Sequence, residues 1–257
     1  MIEPSSCGVL LRVYVKAPGE IEEVVARTVL SVKRATAAGF GQVVVVIPID
    51  KDRGTPVGEM PEKMNGLGVA LTMALVHNGC ENVPVIVVHG NENSDALNAG
   101  VRFLKKFGTT HAFIVSNEAS AMLVPENVWA LCQAFDAGAL VAGLAFGELY
   151  VGVLLGRISN TFAAWNIDCL REVGGFTSEQ GVEEITPMLE MVRLYGKSIA
   201  PVLPIFEEEV EIREAAGARK RHKMGIDSKT SRQIDEAARI GGSLDDLAEG
   251  ILPGYPK

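Results

Sequence analysis

Ser94-Asp95-Ala96-Leu97-Asn98-Ala99-Gly100, then Ala112-Phe113-Ile114-Val115 opening into Ser116-Asn117-Glu118-Ala119-Ser120, is the stretch whose reading decides the fold. Ser94–Lys106 places its apolar residues at helical spacing, and Ala112–Val115 is a short unbroken apolar run. Such a run is what a strand covered on both faces requires. A helix feeding a buried strand that ends in a polar loop is one turn of a parallel α/β winding.

Working outward, the same alternation recurs upstream. Val9–Val15 reads as a strand ending near Pro18-Gly19. In Ile21–Ala38 the residues Ile21, Val24, Val25, Thr28, Val29 and Val32 share one helical face, and Glu20, Glu22 and Glu23 sit at the end where the helix dipole favours acids. Gly39 stops that helix, and Gln42–Ile49 is a β-branched strand. The polar Asp50–Pro61 reads as a surface loop, Glu62–Asn78 as a helix ended by Gly79, and Pro84–His89 as a strand. Four strands with three intervening helices predict a mainly parallel sheet with right-handed crossovers and helices on both faces. Ligands of such sheets sit outside the carboxyl ends of the strands, so the loops after Val15, Ile49, His89 and Val115 form the expected floor of a site.

The second half is less regular. Val128–Phe135 reads as a helix, Ala139–Phe146 and Tyr150–Leu155 as strands, and Thr161–Val173 as helical in part. Thr186 and Pro187 suit an N-cap and first helical position, Gly196 closes that helix, and Ile199–Leu203 is a strand. From residue 207 the chain is charged, with Glu207, Glu208, Glu209 and Glu211 ahead of Arg219, Lys220, Arg221 and Lys223, and a further helix is expected around Arg232–Ile240. The expected organisation is a domain over residues 1–206 and a charged helical extension over 207–257.

With 257 residues, 47% of them hydrophobic, the chain is long enough to bury a substantial core and is not a disordered polymer. A net charge of −8 argues against nucleic acid as a partner of the whole surface. Cys7, Cys80, Cys132 and Cys169 form no C-x-x-C pair, so neither a structural zinc site nor a disulfide framework is expected, and the thiols read as reduced. No basic leader opens the chain, and no apolar run reaches the roughly 20 residues that cross a bilayer. A cytoplasmic protein is the expectation.

The order of these elements resembles a family 2 glycosyltransferase with the GT-A fold, from about Val9 to Leu203. Asn93–Pro125 carries the resemblance best, with its Ala-Leu-Asn-x-Gly helix start, its strand, and the polar segment before Pro125 where the family holds an Asp-x-Asp motif. Asn166–Gly196 carries it next, through Val173-Gly174-Gly175-Phe176 and the acidic pair Glu183-Glu184. The resemblance implies a GT-A-like mixed, mainly parallel sheet flanked by helices. It also implies transfer of a sugar from a nucleoside-diphosphate sugar to a hydroxyl acceptor, with inversion.

Site residues follow from the resemblance position by position. Glu184 would be the base and Glu183 its orienting partner, since an inverting transferase needs a carboxylate to take the acceptor proton. Glu184 stands where the family keeps Asp and is longer by about 1.5 Å. Pro18, Asp50, Asp52, Asn98 and Asn117 would contact the donor, and Trp165, Gly174 and Gly175 the acceptor. A divalent cation, Mg²⁺ or Mn²⁺, would rest on Glu118 and Ser120, with His222 closing its shell. The basic cluster Arg219–Lys223 would equally suit a diphosphate or the headgroups of a membrane surface.

Each position also has a local alternative. Asn98 suits a capping role, Glu183 and Glu184 suit the start of any helix, and Trp165 suits a core. Only one acid, Glu118, occupies the Asp-x-Asp region, so the competing reading is a degenerate GT-A protein that binds a nucleotide or a partner without turnover. A sugar-1-phosphate nucleotidyltransferase, on a related fold, ranks last because Lys16-Ala17-Pro18-Gly19-Glu20 is a poor version of its phosphate loop.

Overall fold

The computed structural model describes residues 1–13, 20–50, 60–90, 93–144, 158–177, 182–203, 205 and 231–255. Among them the strands are β1 (Cys7–Arg12), β2 (Gln42–Asp50), β3 (Val85–Gly90), β4 (His111–Ser116), β5 (Val141–Leu144), β6 (Phe162–Asn166) and β7 (Ile199–Val202). They form one sheet in the order β3-β2-β1-β4-β6-β5-β7. The pairs β1/β2, β2/β3, β1/β4 and β5/β7 are parallel, and β6 runs antiparallel to both β4 and β5. This is the mixed, mainly parallel sheet that the sequence predicts.

The helices are α1 (Ile21–Ala37), α2 (Met60–His77), α3 (Asn93–Lys106), α4 (Pro125–Asp136), α5 (Ile167–Glu172), α6 (Ile185–Tyr195), α7 over residues 231–239, and α8 (Leu244–Glu249). Strand period divides the core into two layers. Val9, Leu11, Val13, Phe113 and Val115 face the side covered by α1, α2 and α4, whereas Leu10, Ala112 and Ile114 face the side covered by α3, α5 and α6. Gly100 lets α3 approach β1 closely, because a Cβ there would meet Leu10 Cδ1 at 2.2 Å. None of the described helices is long and apolar enough to cross a membrane.

Two sequence expectations change, and a third element is placed. Residues 162–166 form a fully paired strand before the short helix α5, so Thr161–Val173 is half strand. Its run Phe162-Ala163-Ala164-Trp165 lacks the β-branched residues that would have announced it. Asn166 caps α5, its Oδ1 accepting from the N–H groups of Asp168 and Cys169, each at 3.1 Å.

Helix α6 begins at Ile185 with Glu184 at its N-cap, two residues before the expected start. Pro187 is tolerated as the third helical residue, where its missing N–H has no intrahelical partner to lose. Thr186 caps nothing and donates its hydroxyl to Glu236 instead, at 2.8 Å.

Finally, the described part of the expected extension joins the same body. Leu252 N donates to Ile199 O at 2.9 Å, Ala237, Leu247 and Ile251 are buried, and Ser243 with Asp246 forms a reciprocal cap at the start of α8. Residues 145–157 and 206–230, with the expected strand Tyr150–Leu155 and the acid-then-base run, lie outside the described residues.

Candidate active site

The winding reverses between β1 and β4. From β1 the chain goes to β2 and β3 on one side, and β4 then returns to the other. Ligands of open α/β sheets bind in the crevice outside the carboxyl ends of the strands at such a switch point. The residues facing each other there are Arg12, the last of β1, and Ser116, the last of β4, which are direct register partners. Parallel neighbours in register point to the same face, so both side chains lie on the α3/α6 side.

Arg12 is the single charged residue of β1 and is nearly buried, with 12% of its side chain exposed. Its Nη1 donates to Glu183 Oε1, and the Glu183 side chain is 6% exposed. Glu183 therefore comes from 171 positions away to meet the end of the central strand. The Ser116 hydroxyl is buried with no hydrogen-bond partner among the described residues.

Glu184 is 1% exposed and turned toward α7, with Gln233 Nε2 at 3.5 Å from its Oε1. Beyond it, Glu236 is fully buried and accepts from both Thr186 and Arg239. Helix α7 thus covers the start of α6, meeting it through Gln233 and Glu236.

Asn117 points the other way. Its Nδ2 donates to Thr28 Oγ1 at 3.2 Å and its Oδ1 accepts from Ser31 Oγ at 3.0 Å, both on the inner face of α1. Ser120 is 3% exposed and returns its hydroxyl to Asn117 O at 3.0 Å within a 3-10 turn over Asn117–Met122. Asn117 and Ser120 do not fit a metal shell, because both are committed to protein partners. Among the described residues no three His, Cys, Asp or Glu side chains gather to hold a metal ion.

The other predicted positions separate. The Asn98 amide clamps the backbone of Phe176 from both sides, Nδ2 to Phe176 O at 2.8 Å and Phe176 N to Oδ1 at 2.9 Å. Gly175 adopts φ +81° and a Cβ there would meet Asn98 Oδ1 at 2.7 Å, so the glycine is needed for this clamp. Gly174, at φ +91°, faces open space.

Trp165 is fully buried, edge-on to Phe176 at 5.0 Å, and its Nε1 donates to Asn160 Oδ1 at 2.9 Å. It therefore packs within the core and presents no accessible face in this structure. Pro18, Asp52 and His222 lie outside the described residues, as do the side chains of Asp50 and Glu118.

Sequence reading missed Arg12, Ser116, Gln233 and Glu236. A lone arginine inside Val9-Leu10-Leu11-Arg12-Val13 was the available signal, because a charge within a buried strand needs a partner. Hydrogen bonding between the buried Cys7 and Cys132 pulls the Cys7 thiol down, with His111 assisting, and pushes Cys132 up. At the far end of α6, a cavity of about 360 Å³ is lined by Arg193 and Lys197 together with Asp246 and Glu249, so its charges are balanced internally.

No family model matches the sequence, and a search of curated proteins finds no relative. Among solved structures, the mannosyltransferase PcManGT from Pyrobaculum calidifontis, in complex with GDP-Man and Mn2+, superposes with a TM-score of 0.57 over 94% of this chain at 15% identity. The fold is GT-A-like. This chain spans 66% of the length of that structure. A cytidylyltransferase from Leptospira borgpetersenii serovar Hardjo-bovis aligns with a TM-score of 0.48 at 12% identity, over 88% of this chain and 95% of its own.

Proposed function

We propose that this protein transfers a sugar from a nucleoside-diphosphate sugar to a hydroxyl acceptor, with inversion at the anomeric carbon. The observation that carries this reading is the acidic pair at the entry of α6, with Glu183 brought across the carboxyl edge of the sheet to Arg12 at the switch point. The GT-A-like fold supports a nucleotide-sugar donor, since PcManGT carries GDP-Man on the same architecture. Fold alone would leave the reaction open. The placement of the acids narrows it.

In this reading the acceptor oxygen attacks the anomeric carbon from the face opposite the diphosphate. Its proton passes to a carboxylate, and the C–O bond to the donor breaks with its electron pair leaving on the diphosphate. We assign the proton to Glu183 rather than Glu184. Glu183 stands beside the strand ends, whereas the Glu184 carboxylate faces Gln233 under α7. Glu184 then positions the pair from the N-cap of α6. A divalent cation, Mg²⁺ or Mn²⁺, would be held by Glu118 with His222 and would stabilise the charge leaving on the diphosphate.

A second reading, binding without turnover, is favoured by the inward commitment of Asn117 and Ser120. One experiment separates the two. Wild-type protein is incubated with GDP-, UDP- and dTDP-sugars, with and without Mn²⁺, and free nucleoside diphosphate is measured. Turnover that falls at least about 100-fold in Glu183→Gln, and less in Glu184→Gln, is expected. Nucleotide binding with no release from any donor supports the second reading, and no binding at all defeats both.

A further inference from the structure

Arg12 and Ser116 do not behave like residues placed for stability. A buried ion pair is often no better for folding than two apolar side chains of the same volume. A buried hydroxyl without a partner is a cost that alanine would remove. Both features occur on facing residues, on one face, at the one point in the sheet where the winding reverses. An arginine at a site of this kind offers a planar fork of N–H donors that matches phosphate oxygens two at a time.

We propose that Arg12 and Ser116 form the subsite for the diphosphate of the donor, and that Glu183 is a built-in counter-ion displaced when the diphosphate arrives. This rests on the nucleotide-sugar reading above and adds to it the group that receives the leaving charge. Glu183 holds the guanidinium in place while the site is empty of anion. A diphosphate carries more charge than a single carboxylate and also satisfies the Ser116 hydroxyl, so it wins the exchange. Displaced from Arg12, the Glu183 carboxylate turns from the diphosphate to the opposite face of the anomeric carbon, where it takes the acceptor's proton only in the donor complex.

Calorimetry tests this with inorganic pyrophosphate, GDP, UDP, dTDP and CDP, each in EDTA and in Mn²⁺, and with the matching nucleosides as controls. At least one diphosphate is expected to bind wild-type protein in EDTA. Its affinity should fall about tenfold or more in Arg12→Met, as expected for losing a charge-assisted contact. The same loss is expected in Arg12→Met combined with Glu183→Leu, which leaves no charge buried without its partner. Nucleoside affinity should be unchanged in both.

Glu183→Gln should bind the diphosphate severalfold more tightly, because the competing anion is gone. A purely structural ion pair has no reason to produce that gain. Equal diphosphate affinity in wild type and in either folded Arg12 variant, or weaker binding by Glu183→Gln, overturns the subsite while the nucleotide-sugar reading stands. Failure of wild type to bind any diphosphate, with or without Mn²⁺, overturns both.

Discussion

Ser116 and Asn117 are adjacent in sequence and opposite in circumstance. Strand period sends Asn117 to the α1 face, where its amide meets Thr28, Ser31 and the carbonyl of Val24. The same period sends Ser116 to the α3/α6 face, beside an arginine that is paired with a distant acid, and its hydroxyl has no partner among the described residues. One side of the strand end is a closed polar network among neutral groups. The other is charged and incompletely satisfied. Closed neutral networks fix a fold, whereas charge gathered at a strand end with a polar atom to spare is what a ligand would complete. Asn117 and Ser120, which the resemblance assigns to donor and metal, belong to the closed side, and the open side carries an arginine.

The strongest way to break this comparison is a stability cycle on the charged side. Arg12→Met alone should cost about 3–5 kcal/mol, because Glu183 is left buried without its cation. Arg12→Met combined with Glu183→Leu should return to within about 1 kcal/mol of wild type, or exceed it. Urea unfolding of wild type, Arg12→Met, Glu183→Leu and the double variant reads this directly. If the double variant is as unstable as the single one, the pair holds the fold, and the contrast between the two faces collapses.

The closed side should respond in the reverse sense. Asn117→Ala removes the amide that joins Thr28 and Ser31, whose hydroxyls keep Val24 O and Arg27 O as partners, and should cost about 1 kcal/mol in the same measurement. Diphosphate affinity should not move. A loss of affinity with unchanged stability would mean that Asn117 reaches the ligand after all, as the resemblance implies.

Much of the fold was legible, because periodicity reports burial and the first half is periodic. The span of α1 and the strands β2, β3 and β4 follow from apolar spacing with glycines at helix ends. β6 was not legible, since Ala163 and Ala164 at its centre disfavour strands and outweigh the aromatic Phe162 and Trp165, and the pairing comes from the tertiary fold. The site was legible as a location and less so in its members. The acids Glu183 and Glu184 stand out in sequence, but nothing local says which of them turns to the sheet and which to α7. That division depends on Arg12 and Gln233, from opposite ends of the chain. Asn98 shows the converse, a residue whose motif suggests a ligand and whose amide holds the Phe176 turn.

Ser116→Ala gives the smallest effect and the finest discrimination. An unpartnered buried hydroxyl loses its hydrogen bonds to water on folding and gains none, at a cost of roughly 1–3 kcal/mol. Replacing it with a methyl should therefore leave stability unchanged or raise it by up to about 1 kcal/mol. Substitutions at fully satisfied positions, such as Thr28 or Ser31 on the facing helix, lack that margin and should destabilise. If the hydroxyl waits for a phosphate oxygen, the same variant should lose two- to threefold in diphosphate affinity, about 0.5 kcal/mol of binding. Opposite signs for folding and for binding in one conservative change are hard to obtain from a structural serine. A Ser116→Ala protein that is less stable and binds as tightly as wild type would place the hydroxyl with the closed network, on the Asn117 side of the comparison.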